Sequence, residues 1–272
     1  MAEDREPHLS EEESQEVGER SPPKAKVVHA AVVRQGEDEL ERPVASLFWS
    51  GLAAGIAMMA SVSAQAALHK GLPDAPWREL VAGFGYCLGF LIVILGRMQL
   101  FTEHTTVAVL PLMRERTAAN LRRTLRLWGI VFVGNLVGAA AIAAACIYLR
   151  LQSHEMTDAM IDVSAKLLDK GPLEMMLQGI PAGFLIASVA WIRSAADDSS
   201  FWIVIVLTYA IAICGFTHVI AGACEAFLLL WSGNADAGWL LGTFLLPALA
   251  GNIIGGTGLF AMLAHAQVKE EI

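Results

Sequence analysis

A histidine in the middle of a long apolar stretch is the first residue of this sequence that could carry chemistry. His218 ends the segment 214–218 (CGFTH), inside the otherwise apolar stretch 201–231. An imidazole has an unperturbed pKa of about 6.5, so it can donate a proton or a hydrogen bond near neutral pH. Ionisable side chains at membrane depth are costly and usually face a bundle interior or an aqueous pathway. His218 is therefore a candidate transport residue. The alternative is a structural histidine, hydrogen-bonded to a carbonyl or hydroxyl group of a neighbouring helix.

A similar polar interruption occurs earlier in the chain. Thr102 lies in the segment 100–104 (LFTEH), again within an apolar stretch. A Gly-Asn-apolar-apolar-Gly pattern follows each Phe-Thr pair, with Asn135 placed 33 residues after Thr102 and Asn252 placed 35 residues after Thr217. The two Phe-Thr pairs are 115 residues apart, which indicates an internal repeat. Two repeats of three spans have opposite orientations in a bilayer, an arrangement found in transporters with broken helices at the midplane.

The composition predicts an integral membrane protein that consists of helices. Of the 272 residues, 55% are apolar and 17% are charged, and the mean hydropathy is +0.52. A helix needs about 20 apolar residues to cross a bilayer. We identify six candidate spans, at 44–68, 80–113, 127–149, 173–191, 201–231 and 239–266. The predicted fold is therefore an all-α membrane protein with six transmembrane helices, of which the second and fifth are broken. Irregular backbone at that depth needs protein or water around it, so the breaks predict a pore or cavity wall.

Charge divides the chain into three predicted parts. Residues 1–43 hold 12 acidic and 6 basic residues and few aromatic ones, which predicts a disordered acidic tail. Residues 44–268 form the transmembrane domain, and residues 269–272 form the C-terminus. Between the second and third spans lies a basic segment with Arg114, Arg116, Arg122, Arg123 and Arg126. The positive-inside bias places this segment in the cytoplasm, and with it both termini.

Several functional classes fit the sequence poorly. The four cysteines, Cys87, Cys146, Cys214 and Cys224, lie in apolar spans without metal-ligand spacing, so we interpret them as packing residues. We therefore expect neither a metal nor a cofactor. The net charge of −8 argues against a nucleic-acid partner. The chain is not expected to be an enzyme, because no Ser-His-Asp set, HExxH, Walker or GxGxxG motif occurs in a suitable context.

In combination and order, these motifs resemble the formate/nitrite transporter family. The resemblance covers residues 44–268 and rests on LFT at 100–102, GNLVGA at 134–139, AW at 190–191, GFTH at 215–218 and GNIIGG at 251–256. It implies six helices in an aquaporin-like inverted repeat, assembled in the inner membrane as a homopentamer with a pore through each protomer. It also implies transport of a small monovalent anion of a weak acid, such as formate, nitrite or hydrosulfide.

The same resemblance assigns residues to a pore. It places Thr102 and His218 at the polar centre, between two apolar constrictions formed by Leu100, Phe101, Tyr86, Phe90 and Ile211. Moving a bare carboxylate into a dry, low-dielectric slit has an idealised cost of order 20 kcal/mol, so an apolar slit admits the neutral acid more easily. A central donor lowers the cost for a weak acid. Whether His218 donates a proton or only a hydrogen bond stays open from the sequence.

The chain also departs from the family pattern. Gln99 and Thr217 stand where relatives commonly carry an acid, and Gly183 and Gly222 stand where relatives carry vestibule asparagines. Titratable or charged side chains are added near the interruptions, namely Arg97, Glu103, His104 and Glu225. A pairing of Arg97 with Glu103 or Glu225 would neutralise them structurally, because buried charges are normally paired. Otherwise these groups would reset the substrate selectivity.

Two alternatives to an anion or weak-acid transporter therefore remain. One is a pore for another small neutral or cationic solute, because the vestibule asparagines are missing. The other is a non-conducting structural or regulatory membrane protein, against which the retained Thr102 and His218 argue.

Overall fold

The computed structural model describes residues 21–271 together with Ser10 and Glu13, and the regular structure among them is helical. In chain order the helices are α1 (Ala25–Glu41), α2 (Val44–Gly71), α3 (Arg78–Leu95), α4 (Phe101–Val107), α5 (Val109–Arg114), α6 (Ala118–Tyr148), α7 (His154–Ala165), α8 (Pro172–Ala195), α9 (Ser200–Ile213), α10 (Val219–Trp231) and α11 (Trp239–Glu271). Helix α11 contains two stretches of wider π-helical turns, Trp239–Leu245 and Ile254–Ala261.

Five of these helices are long and apolar enough to cross a membrane: α2, α3, α6, α8 and α11. Helix α10 is a shorter apolar helix of 13 residues, and it follows α9, which has 14 residues. An α-helix rises about 1.5 Å per residue, so neither α9 nor α10 alone reaches the ~30 Å of a hydrocarbon core. Together the two helices have the length of one span.

Close helix packing in both halves depends on glycine. A Cβ atom at Gly55 of α2 would overlap the carbonyl of Asn135, and one at Gly138 of α6 would overlap the α2 backbone. In the second half, a Cβ atom at Gly183 of α8 would overlap the backbone of Asn252 on α11. Small residues allow helix backbones to approach closely in membrane proteins. The backbones of the pairs α2/α6 and α8/α11 are therefore in close contact.

The prediction that residues 1–43 form a disordered tail is wrong for α1. One face of this helix is buried against α5, α8 and the end of α11, and that face includes Val28, His29, Val32, Val33 and Leu40. The acids of the first 43 residues lie mainly before residue 20 and after residue 36, so the mean composition concealed an apolar stretch between them. Most of the remaining predicted tail lies outside the described residues.

Three arginines of the predicted basic segment lie in the first turns of α6 rather than in a loop. Arg126 donates hydrogen bonds to the carbonyls of Leu40 and Arg42 at 2.8 and 3.1 Å, and Arg123 pairs with Glu41 at 3.5 Å. These contacts join the end of α1 to the start of α6. The cytoplasmic orientation of this region stays a prediction.

The chain leaves the helix in the same way after α3 and after α9. The N–H groups of Met98 and Arg97 donate back to carbonyls in the last turn of α3, at 2.9 and 3.2 Å, and those of Phe216 and Gly215 do so after α9, at 3.0 and 3.2 Å. This Schellman pattern requires a residue in the left-handed region. Arg97 has a φ of 54° and Gly215 has a φ of 66°.

This correspondence corrects the register of the internal repeat. Arg97 and Gly215 are 118 positions apart, whereas the two Phe-Thr pairs are 115 apart. In the structure, Thr217 therefore corresponds to Gln99, and His218 corresponds to Leu100. The Phe-Thr match suggested the repeat, but the two threonines do not occupy equivalent positions.

Gly215 allows a direct test of this turn. We expect Gly215→Ala to lower the free energy of unfolding by about 1 kcal/mol, because a Cβ atom in the left-handed region costs roughly 1–2 kcal/mol. Open space surrounds the position, since no heavy atom lies within 4 Å of an added Cβ atom. Thermal unfolding of purified protein measures the change.

Gly129→Ala is the matched control for this substitution. Gly129 also has open space around it, but it lies inside α6. There alanine is favoured over glycine by up to about 1 kcal/mol. Equal melting temperatures for the two variants would contradict the role assigned to Gly215.

Candidate functional site: the contact between the two interrupted helices

A buried hydrogen bond joins the two halves of the chain. The Nε2 atom of His218 and the Oγ1 atom of Thr102 are 2.7 Å apart, and both residues are buried. His218 precedes α10, and its Nδ1 atom accepts a hydrogen bond from the N–H of Ala221 at 3.0 Å. The imidazole is therefore the N-cap of α10. Because Nδ1 acts as an acceptor, the proton of the neutral ring lies on Nε2, and the ring donates to Thr102.

A buried asparagine holds the backbone of each interruption in place. Asn135 accepts from the N–H of Phe101 at 2.9 Å and donates to the carbonyls of Gly51 and Gln99, both at 2.8 Å. Its counterpart Asn252 makes the same three contacts, with Val219, Gly179 and Thr217, each at 2.9 Å. Non-helical backbone at membrane depth must have its freed polar groups satisfied. The two asparagines do this, a role that the Gly-Asn patterns alone did not predict.

Apolar and aromatic side chains surround the Thr102–His218 contact. The ring of Phe90 lies edge-on to the imidazole, with centroids 5.0 Å apart, and the ring of Tyr86 lies 5.2 Å from that of Phe90. Leu100 is fully buried. Phe101 is buried as well, and its ring contacts Phe132 and Trp128 of α6, at 4.9 and 5.7 Å. Phe90 thus lies beside His218, Tyr86 packs against Phe90, and Phe101 faces α6.

A cavity of about 180 Å³ reaches the histidine from one side. Its lining includes Tyr86, Ile211, Thr217, His218, Lys170 and Glu225. Lys170 precedes α8, and its ammonium group donates to the Gly215 carbonyl at 2.7 Å. Burial lowers the pKa of Lys170, and the carboxylates of Glu225 and Glu174 act in the opposite direction. We refer to this cavity as the α10-side vestibule.

A second cavity, of about 230 Å³, lies at the other end of α8. Its lining includes Arg97, Glu103, Arg193 and Asp197. Arg193 pairs with Glu103 at 3.5 Å, and both side chains are nearly buried, whereas Arg97 and Asp197 are exposed and 3.9 Å apart. The predicted pairing of Arg97 with Glu103 or Glu225 is therefore wrong, because Arg97 lies near Asp197 and Glu103 pairs with Arg193. Neither Arg193 nor Asp197 was among the predicted residues.

The structure explains three of the departures from the family pattern, namely Gln99, Gly183 and Gly222. His104 is buried, and its Nε2 atom lies 2.6 Å from the Oε1 atom of Gln99, so it orients the residue that stands in place of an acid. Gly183 and Gly222 leave no room for asparagine, because a Cβ atom would overlap the Asn252 backbone at Gly183 and would lie 2.7 Å from the Phe244 ring at Gly222. Close packing accounts for both glycines.

Comparison with known proteins identifies the family. A sequence model described as formate/nitrite transporter matches residues 26–266, which is most of the chain. The chain belongs to the formate/nitrite transporter family. This confirms the resemblance inferred from the motifs, and it accords with the expectation that the chain is not an enzyme.

Individual relatives and solved structures show the extent of the similarity. The inner membrane protein YfdC of Escherichia coli (strain K12) is 37% identical over 254 residues, covering 93% of this chain and 82% of that protein. A solved structure titled as a pentameric formate channel with formate bound has a TM-score of 0.69 at 19% identity, covering 84% of this chain and 98% of that one. An FNT family ion channel has a TM-score of 0.72 at 18% identity, covering 89% and 98%. These structures confirm the all-α channel fold.

Proposed function

We propose that this protein is a channel-like transporter of a small monovalent weak acid, with Thr102 and His218 as the central contact for the solute. The observation that supports it most is the buried 2.7 Å hydrogen bond between these side chains, which come from the two interrupted helices. On the analogy of its relatives, we place the protein in the inner membrane as a homopentamer with a pore through each protomer. Leu100, Phe101, Tyr86, Phe90 and Ile211 would form the apolar constrictions.

The capping geometry favours a hydrogen-bonding role for His218 over a proton-donating one. Its Nδ1 atom accepts from the Ala221 N–H, so a second proton on the ring would break the cap of α10. The neutral ring retains one donor, Nε2–H, which points at Thr102. A solute that reaches the centre would accept hydrogen bonds from Nε2–H and from the Thr102 hydroxyl. These bonds replace part of the hydration lost in the apolar constrictions.

Weak-acid transport follows from the surroundings of this contact. An anion crossing a dry aromatic slit loses most of its hydration, at an idealised cost of order 20 kcal/mol. The neutral acid avoids most of that cost and can still accept hydrogen bonds at the centre. The pore would therefore carry the acid in its neutral form, with the pH dependence set by the protonation of the solute.

Flux through purified protein in liposomes tests this proposal. Uptake of formate, nitrite, acetate and hydrosulfide is compared at about pH 5 and about pH 7.5, with protein-free liposomes as the control. We expect protein-dependent flux of at least one of these solutes, faster at the acidic pH. Absence of flux for all four would favour another small solute or a non-conducting protein.

A further inference from the structure

One helix, α11, contacts both of the segments that carry the Thr102–His218 hydrogen bond. Its residue Asn252 bonds the backbone on either side of His218. Just over one turn further along α11, the hydroxyl of Thr257 donates a hydrogen bond to the carbonyl of Thr105 on α4, at 2.6 Å. The short helix that begins beside Thr102 is therefore attached to the same helix that fixes His218.

Two threonines of α4 complete its contact with α11, and both are buried. The hydroxyl of Thr106 donates to the carbonyl of Gly256 at 3.3 Å. The hydroxyl of Thr105 donates to the carbonyl of Thr102 at 2.7 Å, so this contact continues to the central residue itself. A Cβ atom at Gly256 would overlap Oγ1 of Thr105 and would lie 2.9 Å from its Cβ atom. Only a glycine at this position allows α4 to approach α11 so closely.

The other half of the repeat has different residues at the equivalent positions. Counted from the two buried asparagines and from the two left-handed turns, these are Ala139 and Ala140 on α6, and Ala223 and Cys224 on α10. The backbone differs as well. Helix α6 is a regular α-helix, whereas Gly256 and Thr257 lie in the π-helical stretch Ile254–Ala261 of α11. Short π-helical stretches within α-helices occur frequently at functional sites. The repeated fold therefore does not require the threonine contacts, which occur in the half that contains Thr102.

We infer that Gly256 and Thr257 are positioning residues, which hold α4 where the Thr102 hydroxyl meets the imidazole of His218. This inference rests on the proposed function, because it concerns the contact that the solute reaches at the centre. A displacement of α4 by about 1 Å would lengthen the 2.7 Å contact beyond hydrogen-bonding distance. The two donors would then no longer converge on the solute, and a misplacement of this size can reduce a rate by about 100-fold.

Gly256→Ala tests the inference, with Gly258→Ala as the matched control. Gly258 lies in the same π-helical stretch, but the nearest atom to an added Cβ there is a side-chain atom of Ile254, at 4.0 Å. The measurement is initial flux into liposomes of the solute that wild type transports fastest. We expect Gly256→Ala to lower this flux by about tenfold or more, because α4 must move away from α11. We expect Gly258→Ala to stay within about twofold of wild type.

Thr257 provides a second test, which adds no bulk to the contact. Thr257→Val removes the hydroxyl and keeps a branched side chain of similar shape, whereas Thr257→Ser keeps the hydroxyl. Loss of one neutral hydrogen bond changes an equilibrium by roughly 3- to 10-fold, and we expect the flux of Thr257→Val to fall by this factor. We expect Thr257→Ser to transport at close to the wild-type rate.

A double-mutant cycle with Thr102→Val separates positioning from general damage to the fold. If Gly256 and Thr257 act through Thr102, their substitutions should change the residual flux of Thr102→Val by less than about twofold. Their effects on the melting temperature should persist in that background. If Gly256→Ala does not assemble, Thr257→Val and Thr257→Ser carry the cycle alone.

Two results would overturn the inference. One is a loss of flux by the same factor with and without the Thr102 hydroxyl, which is the result of a purely structural role. The other is wild-type flux in both Gly256→Ala and Thr257→Val. Wild-type flux in Thr102→Val itself, or absence of wild-type flux for all four solutes, would instead contradict the proposed function.

Discussion

Replacement of His218 by asparagine is expected to reduce solute flux by about 10- to 100-fold while the protein still folds. Asparagine is a favoured N-cap residue, so its side-chain oxygen can accept from the Ala221 N–H in place of Nδ1. It is too short to replace Nε2, which reaches Thr102 at 2.7 Å. A buried polar group that is left without a hydrogen-bond partner costs roughly 1–3 kcal/mol, a range that includes this fold-change. The measurement is initial flux into liposomes at equal protein density.

His218→Ala separates the two functions of the imidazole. This variant loses the cap as well as the donor, so its free energy of unfolding should fall by about 1 kcal/mol relative to His218→Asn. Its flux should be as low as that of the asparagine variant. If His218→Asn transports at the wild-type rate, the central donor role is wrong, whatever the stability of the alanine variant.

The pH profile of His218→Asn distinguishes a hydrogen-bond donor from a proton donor. If His218 only donates a hydrogen bond, the flux of the variant is low at every pH, and its slope with pH equals that of wild type. If His218 protonates the solute, the slope disappears together with the histidine. The capping geometry leads us to expect the first result.

The sequence was sufficient to select the residues of the candidate site, because their types are rare in apolar surroundings. Polar groups at membrane depth are costly, so Thr102, His218 and the two Gly-Asn patterns are conspicuous in a sequence of this composition. The apolar composition and its polar interruptions likewise identify the membrane class and the segments that hold the irregular backbone. These are local properties of the chain, and they do not depend on knowing which helices touch.

The register of the repeat could not be obtained in this way. Chemically similar residues were aligned, so the Phe-Thr pairs appeared equivalent, whereas the backbone aligns Arg97 with Gly215. Arginine is uncommon in the left-handed region, and its position in the turn is set by hydrogen bonds that the sequence does not display. Leu100 is the N-cap residue of α4, and His218 is the N-cap residue of α10. The backbone is therefore repeated, but only one of the two equivalent positions carries an imidazole.

The ion-pair partners of charged side chains could not be predicted from the sequence either. Glu103 pairs with Arg193, which lies 90 residues away at the end of α8. Arg97 is closer along the chain, but its guanidinium lies 3.9 Å from Asp197 instead. Proximity in sequence predicts partners only within one helix, where residues three or four apart share a face. Across a helix break this rule does not apply.

The two buried asparagines should have the largest effect on stability of any single position discussed. Asn252→Ala would leave the Val219 N–H and the carbonyls of Gly179 and Thr217 without their partner. Each of the three lost hydrogen bonds contributes about 1 kcal/mol, so the free energy of unfolding should fall by about 3 kcal/mol. For a chain of this size that corresponds to a decrease in Tm of roughly 6–12 °C. Heat-induced loss of monodisperse protein in detergent measures it.

Asn135→Ala should cause a loss of similar size, because Asn135 makes the same three contacts at the other interruption. The control is Asn234→Ala, since Asn234 is exposed and its side chain donates only to the Ser232 hydroxyl among the described residues. This control should melt within about 2 °C of wild type, because surface substitutions away from such features are nearly neutral. A wild-type melting temperature for either buried variant would show that the broken backbone is held by other contacts. Unequal losses would show that the two interruptions differ energetically despite their matching hydrogen bonds.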